Sequence, residues 1–127
     1  MKPDIQTRYH IERLVNRFYE QVKSNDSIGY LFNDVARVDW EKHLPRMYDF
    51  WEQIIFQTNT YSGNPMQHHL MLHHQSPLTK DHFKRWLTLF FKTVDELHEG
   101  PVAEFTKQRA QSIAGVMQAK MFSSDFT

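Results

Sequence analysis

The sequence contains no cysteine. Disulfides, thiolate zinc sites, iron–sulfur clusters and cysteine nucleophiles are thereby excluded. It also lacks an excess of either charge, with 15 Lys+Arg against 15 Asp+Glu. That balance argues against a basic nucleic-acid surface and against a polybasic membrane patch. No apolar run approaches the ~18 residues needed to span a bilayer. The opening stretch, MKPDIQTRYHIERL, has no apolar core of signal-peptide length. Repeats, low-complexity tracts and linkers are missing too. What is left is a chain of 127 residues, expected to form one domain over 1–127 in a reducing, cytoplasmic setting.

Against those absences, three residue types stand out: aromatics at 14%, eight histidines and six methionines. Such groups can line a large flat pocket or fill an ordinary core. Their spacing is helical nearly throughout. Ile11, Leu14, Val15, Phe18 and Val22 form one stripe, with Tyr19 on its shoulder. SNDSIG breaks that helix, with Gly29 the expected stop. YLFNDV reads as a short connector carrying Phe32. Asp39 is a good N-cap for the next helix. Its stripe is Trp40, His43, Leu44, Met47, Trp51, Ile54 and Ile55. Pro45 lies inside it and should kink it or mark its true start. Asn64 and Pro65 suit the start of a short helix, PMQHHLML. Thr79 caps a long helix striped by Phe83, Trp86, Leu87, Phe90, Val94 and Leu97. Gly100-Pro101 punctuates. The last helix has Val102, Phe105, Ala110, Ile113, Val116 and Met117, with Arg109 on the same stripe, where burial would demand a carboxylate partner. No segment alternates like a strand. The predicted class is all-α, with four long helices and one short one.

Four histidines fall within seven positions: His68, His69, His73 and His74. His69 and His73 are four apart and share a helix face, as metal-ligand pairs do. A zinc site on the His68–His74 cluster would need further ligands from distant helices. A solvated polar loop accounts well for His73, His74 and His68. A haem needs one imidazole facing a large apolar cavity and an open second position. His69 suits that by position, beside Leu70 and Met66. Tyr19, His43 and Trp86 each combine an apolar body with a polar tip. Each sits on or beside the stripe of a different long helix. One such residue is usually a core residue with its tip satisfied. Three converging would surround a small polar ligand.

RFYEQV, LFND, W-x-x-H-L-P-R-M-Y-D-F-W, Y-S-G-N-P-x-x-x-H and H-F-x-R-W-L-x-L-F occur in that order. Together they resemble the third group of the truncated haemoglobins, from about residue 8 to 121. The absence of a Gly-Gly pair agrees with that group. The resemblance implies a two-over-two helical globin fold and a haem b cofactor. It implies that His69 binds the iron as the proximal ligand. Tyr19 and Trp86 match the distal hydrogen-bond donors, and His43 a distal histidine that swings as a gate. Phe18, Phe32, Phe50 and Phe83 match aromatic positions that pack on the porphyrin. Arg46 falls where a base can reach a propionate, and Met47, Ile113 and Met117 complete the cofactor-facing set. The implied ligands are diatomic gases, with ligand-redox chemistry and a separate reductase as further expectations. Neither nucleic acid nor membrane is an expected partner. The rival readings are a zinc protein and a helical interaction module whose aromatic stripe is only core.

Overall fold

The structure is a computed structural model, and it describes residues 2–59, 61, 63, 73 and 78–121. Four long helices carry it: α1 (Arg8–Ser24), α2 (Trp40–Phe56), α3 (Lys80–Leu97) and α4 (Pro101–Met121). There is no strand among the described residues. The predicted short helix in PMQHHLML lies outside them. α1 packs on α2 and on α3, α3 packs on α4, and α4 reaches α2. Two helix pairs thus lie one over the other, the two-over-two arrangement.

α1 follows the sequence pattern closely. Ile11, Leu14, Val15, Phe18, Tyr19 and Val22 are all buried. Thr7 caps its start by accepting the His10 N–H at 3.2 Å. The helix ends at Asn25, ahead of Gly29. Gly29 does a different job from a stop. A Cβ there would sit 2.9 Å from the carbonyl oxygens of both Val22 and Lys23. Only glycine lets the returning chain lie this close to the end of α1. The expected connector then winds into a π-helix, Leu31–Val35, which buries Leu31.

In α2, Asp39 occupies the N-cap position without a side-chain cap bond. The helix runs unbroken through Pro45, from Trp40 to Phe56. Of its stripe only Trp51 is buried; Trp40, His43, Leu44, Met47, Ile54 and Ile55 are half-buried. α3 begins with a capping box. Thr79 Oγ1 accepts the His82 N–H at 3.2 Å, and His82 Nδ1 accepts the Thr79 N–H at 3.1 Å. That bond leaves the ring proton on His82 Nε2, which faces Tyr30 Oη at 3.2 Å.

α4 departs from expectation. Its inner face is Ala103, Thr106, Ala110, Ala114 and Met117. Phe105 and Val116, read as stripe residues, are 39% and 55% exposed. Arg109 is exposed as well, so it needs no buried carboxylate. These small residues line the side of α4 that packs on α3 and α2, and the spacing of packed helices depends on the side chains at the contact.

The N-terminal segment ties the ends of this arrangement together. Ile5 is 1% exposed. Asp4 caps α4 from 98 positions away. Its two carboxylate oxygens accept the N–H groups of Val102 at 3.0 Å and Ala103 at 2.8 Å. Gly100, at φ 140°, makes room for it; a Cβ there would meet Asp4 Cγ at 2.5 Å. Burial works to raise the Asp4 pKa, but the N–H groups of Val102, Ile5 and Ala103 and the neighbouring His98 outweigh it and hold it below the usual value. His98 is buried, its Nδ1 3.0 Å from the Pro3 carbonyl oxygen. The Glu99 N–H donates to that same carbonyl at 3.2 Å.

Candidate distal site

Of the three residues singled out on separate helices, two touch and the third reaches them through Phe18. Tyr19 on α1 is buried, and its ring lies 5.2 Å from that of His43 on α2, at 78°. Phe18 stands between Tyr19 and Trp86 of α3. Its ring is 4.9 Å from Tyr19 and 5.5 Å from Trp86, edge to face in both cases. Trp86 stacks on Phe90 at 5.6 Å and 8°, and Phe90 stacks on Trp51 at 4.8 Å. This aromatic column fixes the indole in one orientation, since each such pair adds about 0.5–1.5 kcal/mol beyond area burial. Local structure explains the geometry. Phe18 and Tyr19 are adjacent in α1, so they point about 100° apart. One enters the aromatic column and the other turns toward α2.

Burial pushes the Tyr19 hydroxyl well above its ordinary pKa of 10. The group therefore stays a neutral O–H, able to donate. The chemistry of the set is uniform. A phenol, an imidazole and an indole N–H sit among aromatic walls, and the set contains no carboxylate. Such a set suits a small ligand that gains negative charge when bound.

The remaining residues fall around this core in two apolar groups. Phe18, Met47 and Phe50 pack with the main cluster. Phe83 and Met117 pack in a second one with Leu31, Leu78 and Ala114. Phe32 and Ile113 touch both clusters and are only half-buried. Arg46 is exposed on α2, where its charge bears on the Tyr61 hydroxyl. Tyr61 packs on Phe50 at 5.2 Å. Tyr61 opens the Y-S-G-N-P motif of the sequence, which gave it no role of its own. The sequence pattern marks Trp40 only as core. Yet the Trp40 ring lies 5.3 Å from Tyr19 and 5.6 Å from His43.

His68, His69 and His74 lie outside the described residues. His73 is described and half-buried. Its Nδ1 accepts the Leu78 N–H at 2.9 Å. A lone pair on Nδ1 puts the proton on Nε2. Metal-ligating histidines do the reverse: they donate the second ring N–H and bind through the other nitrogen. His73 as it stands is thus bonded to the backbone of the buried Leu78. No group of three or more His, Asp or Glu residues suited to a metal ion occurs among the described residues. No helix among them is long and apolar enough to cross a membrane.

Comparison with known proteins agrees with the helical fold. The family model for bacterial-like globins matches residues 4–122. The group 3 truncated haemoglobin ctb of Campylobacter jejuni is 27% identical over 125 residues, covering 96% of each chain. The crystal structure of a group III truncated haemoglobin from Campylobacter jejuni superposes with a TM-score of 0.84 at 27% identity, covering 97% of each chain.

Proposed function

The chain belongs to the bacterial-like globin family, and from that premise we propose that it is a haem b protein that reversibly binds dioxygen, nitric oxide and carbon monoxide. The observation that carries the reading is the approach of Tyr19 and His43 across α1 and α2, with Trp86 joined to them through Phe18. The donor chemistry fits the group. The half-buried apolar stripe of α2 fits it too, as a wall against a flat apolar body rather than a sealed core. When bound, ferrous haem iron supplies reversible binding of diatomic ligands, and a separate reductase keeps it ferrous.

The chain's own residues then divide the work. His69 would hold the haem iron. His73 is better suited to clamp the loop, because its Nδ1 is engaged as an acceptor. Phe18, Phe32, Met47, Phe50, Phe83, Ile113 and Met117 exclude water. Arg46 attracts a propionate at the rim, with Tyr61 beside it. Tyr19 Oη and Trp86 Nε1 each hold a proton toward the ligand, and His43 closes the entry side. A hydrogen bond of this kind is worth about 1–3 kcal/mol. Two acting additively slow oxygen release by roughly one and a half to four decades, at 1.4 kcal/mol per decade. Slow release suits sensing, scavenging or reaction of oxygen with nitric oxide better than bulk transport.

The visible spectrum of the purified or haem-reconstituted protein tests the reading. A Soret band is expected. His69→Ala should lose it, and free imidazole should restore it by entering the space left. His68→Ala, His73→Ala and His74→Ala should each keep it. A colourless protein with stoichiometric zinc would favour a zinc site on the histidine cluster instead.

A further inference from the structure

Trp40 touches more of the distal site than a core residue at the start of a helix needs to. Its ring centroid is 5.3 Å from Tyr19, 5.6 Å from His43 and 6.1 Å from Phe32. Tyr19 and His43 are themselves 5.2 Å apart. The three rings therefore form a closed triangle in which each touches the other two. On its outer side the indole carries a cation: Lys23 Nζ, from the last turn of α1, lies 4.5 Å from the ring centroid. Trp40 and His43 are three residues apart on α2, so they share a face. A movement of the His43 ring would therefore alter its contact with the indole.

We propose that Trp40 is the positioning residue for the distal pair, and that Lys23, seated on its outer face, latches it and so sets the rate at which small ligands enter. This rests on the haem reading above. The physical reasoning is direct. Edge-to-face contacts hold His43 against Tyr19 only while the indole stays in place. The indole is half-buried, so apolar packing alone does not fix it. The ammonium, drawn to the negative face of the ring, supplies the missing restraint from solvent. Entry should then respond to a charge that touches neither ligand nor cofactor.

The test uses the haem-loaded chain, with carbon monoxide rebinding followed by flash photolysis. Lys23→Gln should speed association about two- to fivefold, the change expected for losing one exposed cation–ring contact. Trp40→Leu should speed it about tenfold or more, and Trp40→Phe should restore most of the wild-type rate. A second readout needs no cofactor. In the haem-free chain, the proton resonances of the His43 ring should shift in Trp40→Leu, through loss of a ring current. Unchanged association rates in both Lys23→Gln and Trp40→Leu would overturn the proposal. So would an unshifted His43 resonance. Failure of the wild-type chain to give a Soret band would instead overturn the haem reading itself. If Trp40→Leu does not fold, Lys23→Gln still decides, because its side chain is exposed.

Discussion

At the scale of single residues, the donors make the sharpest demands. Tyr19→Phe removes one O–H and nothing else, so oxygen release should quicken tenfold or more. Trp86→Phe should act in the same direction. Stopped-flow displacement measures both, and carbon monoxide release should change less because its outer atom gains less charge. Raised above 10 by burial, Tyr19 stays protonated through neutral and mildly alkaline pH, so it should add no inflection to the release rate below pH 10. Gly100 is the second residue with a clear consequence. Gly100→Ala forces a side chain onto φ 140° and against Asp4 Cγ. The expected loss is about 1–3 kcal/mol, read by urea denaturation. Asp4→Ala should lose a similar amount, about 1 kcal/mol for the cap.

At the scale of elements, α2 ends on Gln57 in the left-handed region, at φ 57°. Glycine meets that geometry without the Cβ penalty. Gln57→Gly should therefore stabilise the protein by about 0.5–1 kcal/mol, seen as a Tm rise of about 2–5 °C. In α4, Arg109→Ala should change stability by less than about 0.5 kcal/mol, as for any exposed side chain. The contrast between helices shows what was readable in advance. The stripes of α1 and α3 were legible because Leu14, Phe18, Phe83 and Phe90 carry the period in large apolar groups. That of α4 was legible in part. Ala110 and Met117 are buried and Val102 and Ile113 pack inward, but Ala103, Thr106 and Ala114 give the inner face little apolar signal, while Phe105 and Val116 face water. The distal donors were legible one at a time, from their places on or beside three stripes. That they meet through Phe18, and that Trp40 closes a triangle with two of them, depended on how the helices cross. The cap supplied by Asp4 had no local signature at all, since its partners stand 98 and 99 positions on.

At the scale of the whole molecule, the joint between the N-terminal segment and the α3–α4 corner carries the pH response. Burial lowers the His98 pKa, more than the Pro3 carbonyl raises it, while His10 and Arg13 on α1 lower it further and Asp4 opposes them. A group whose pKa is depressed on folding gives its full stability above its unfolded value, near 6.5, and loses it as pH falls below. Asp4, also depressed, adds its own loss below its ordinary 3.8. Stability should thus fall between pH 7 and 5, and His98→Gln should flatten that fall in denaturant titrations. The same joint also bears on how the chain is made. Asp4 leaves the ribosome first and Ala103 last, and at about 5–20 residues per second the gap between them is roughly 5–20 s. Through that interval Ile5 has no pocket to enter, and a 17-residue helix such as α1 is marginal on its own. A nascent chain stalled short of Ala103 should therefore be cut readily by protease in its first turn of sequence, and chains released beyond Met121 should resist.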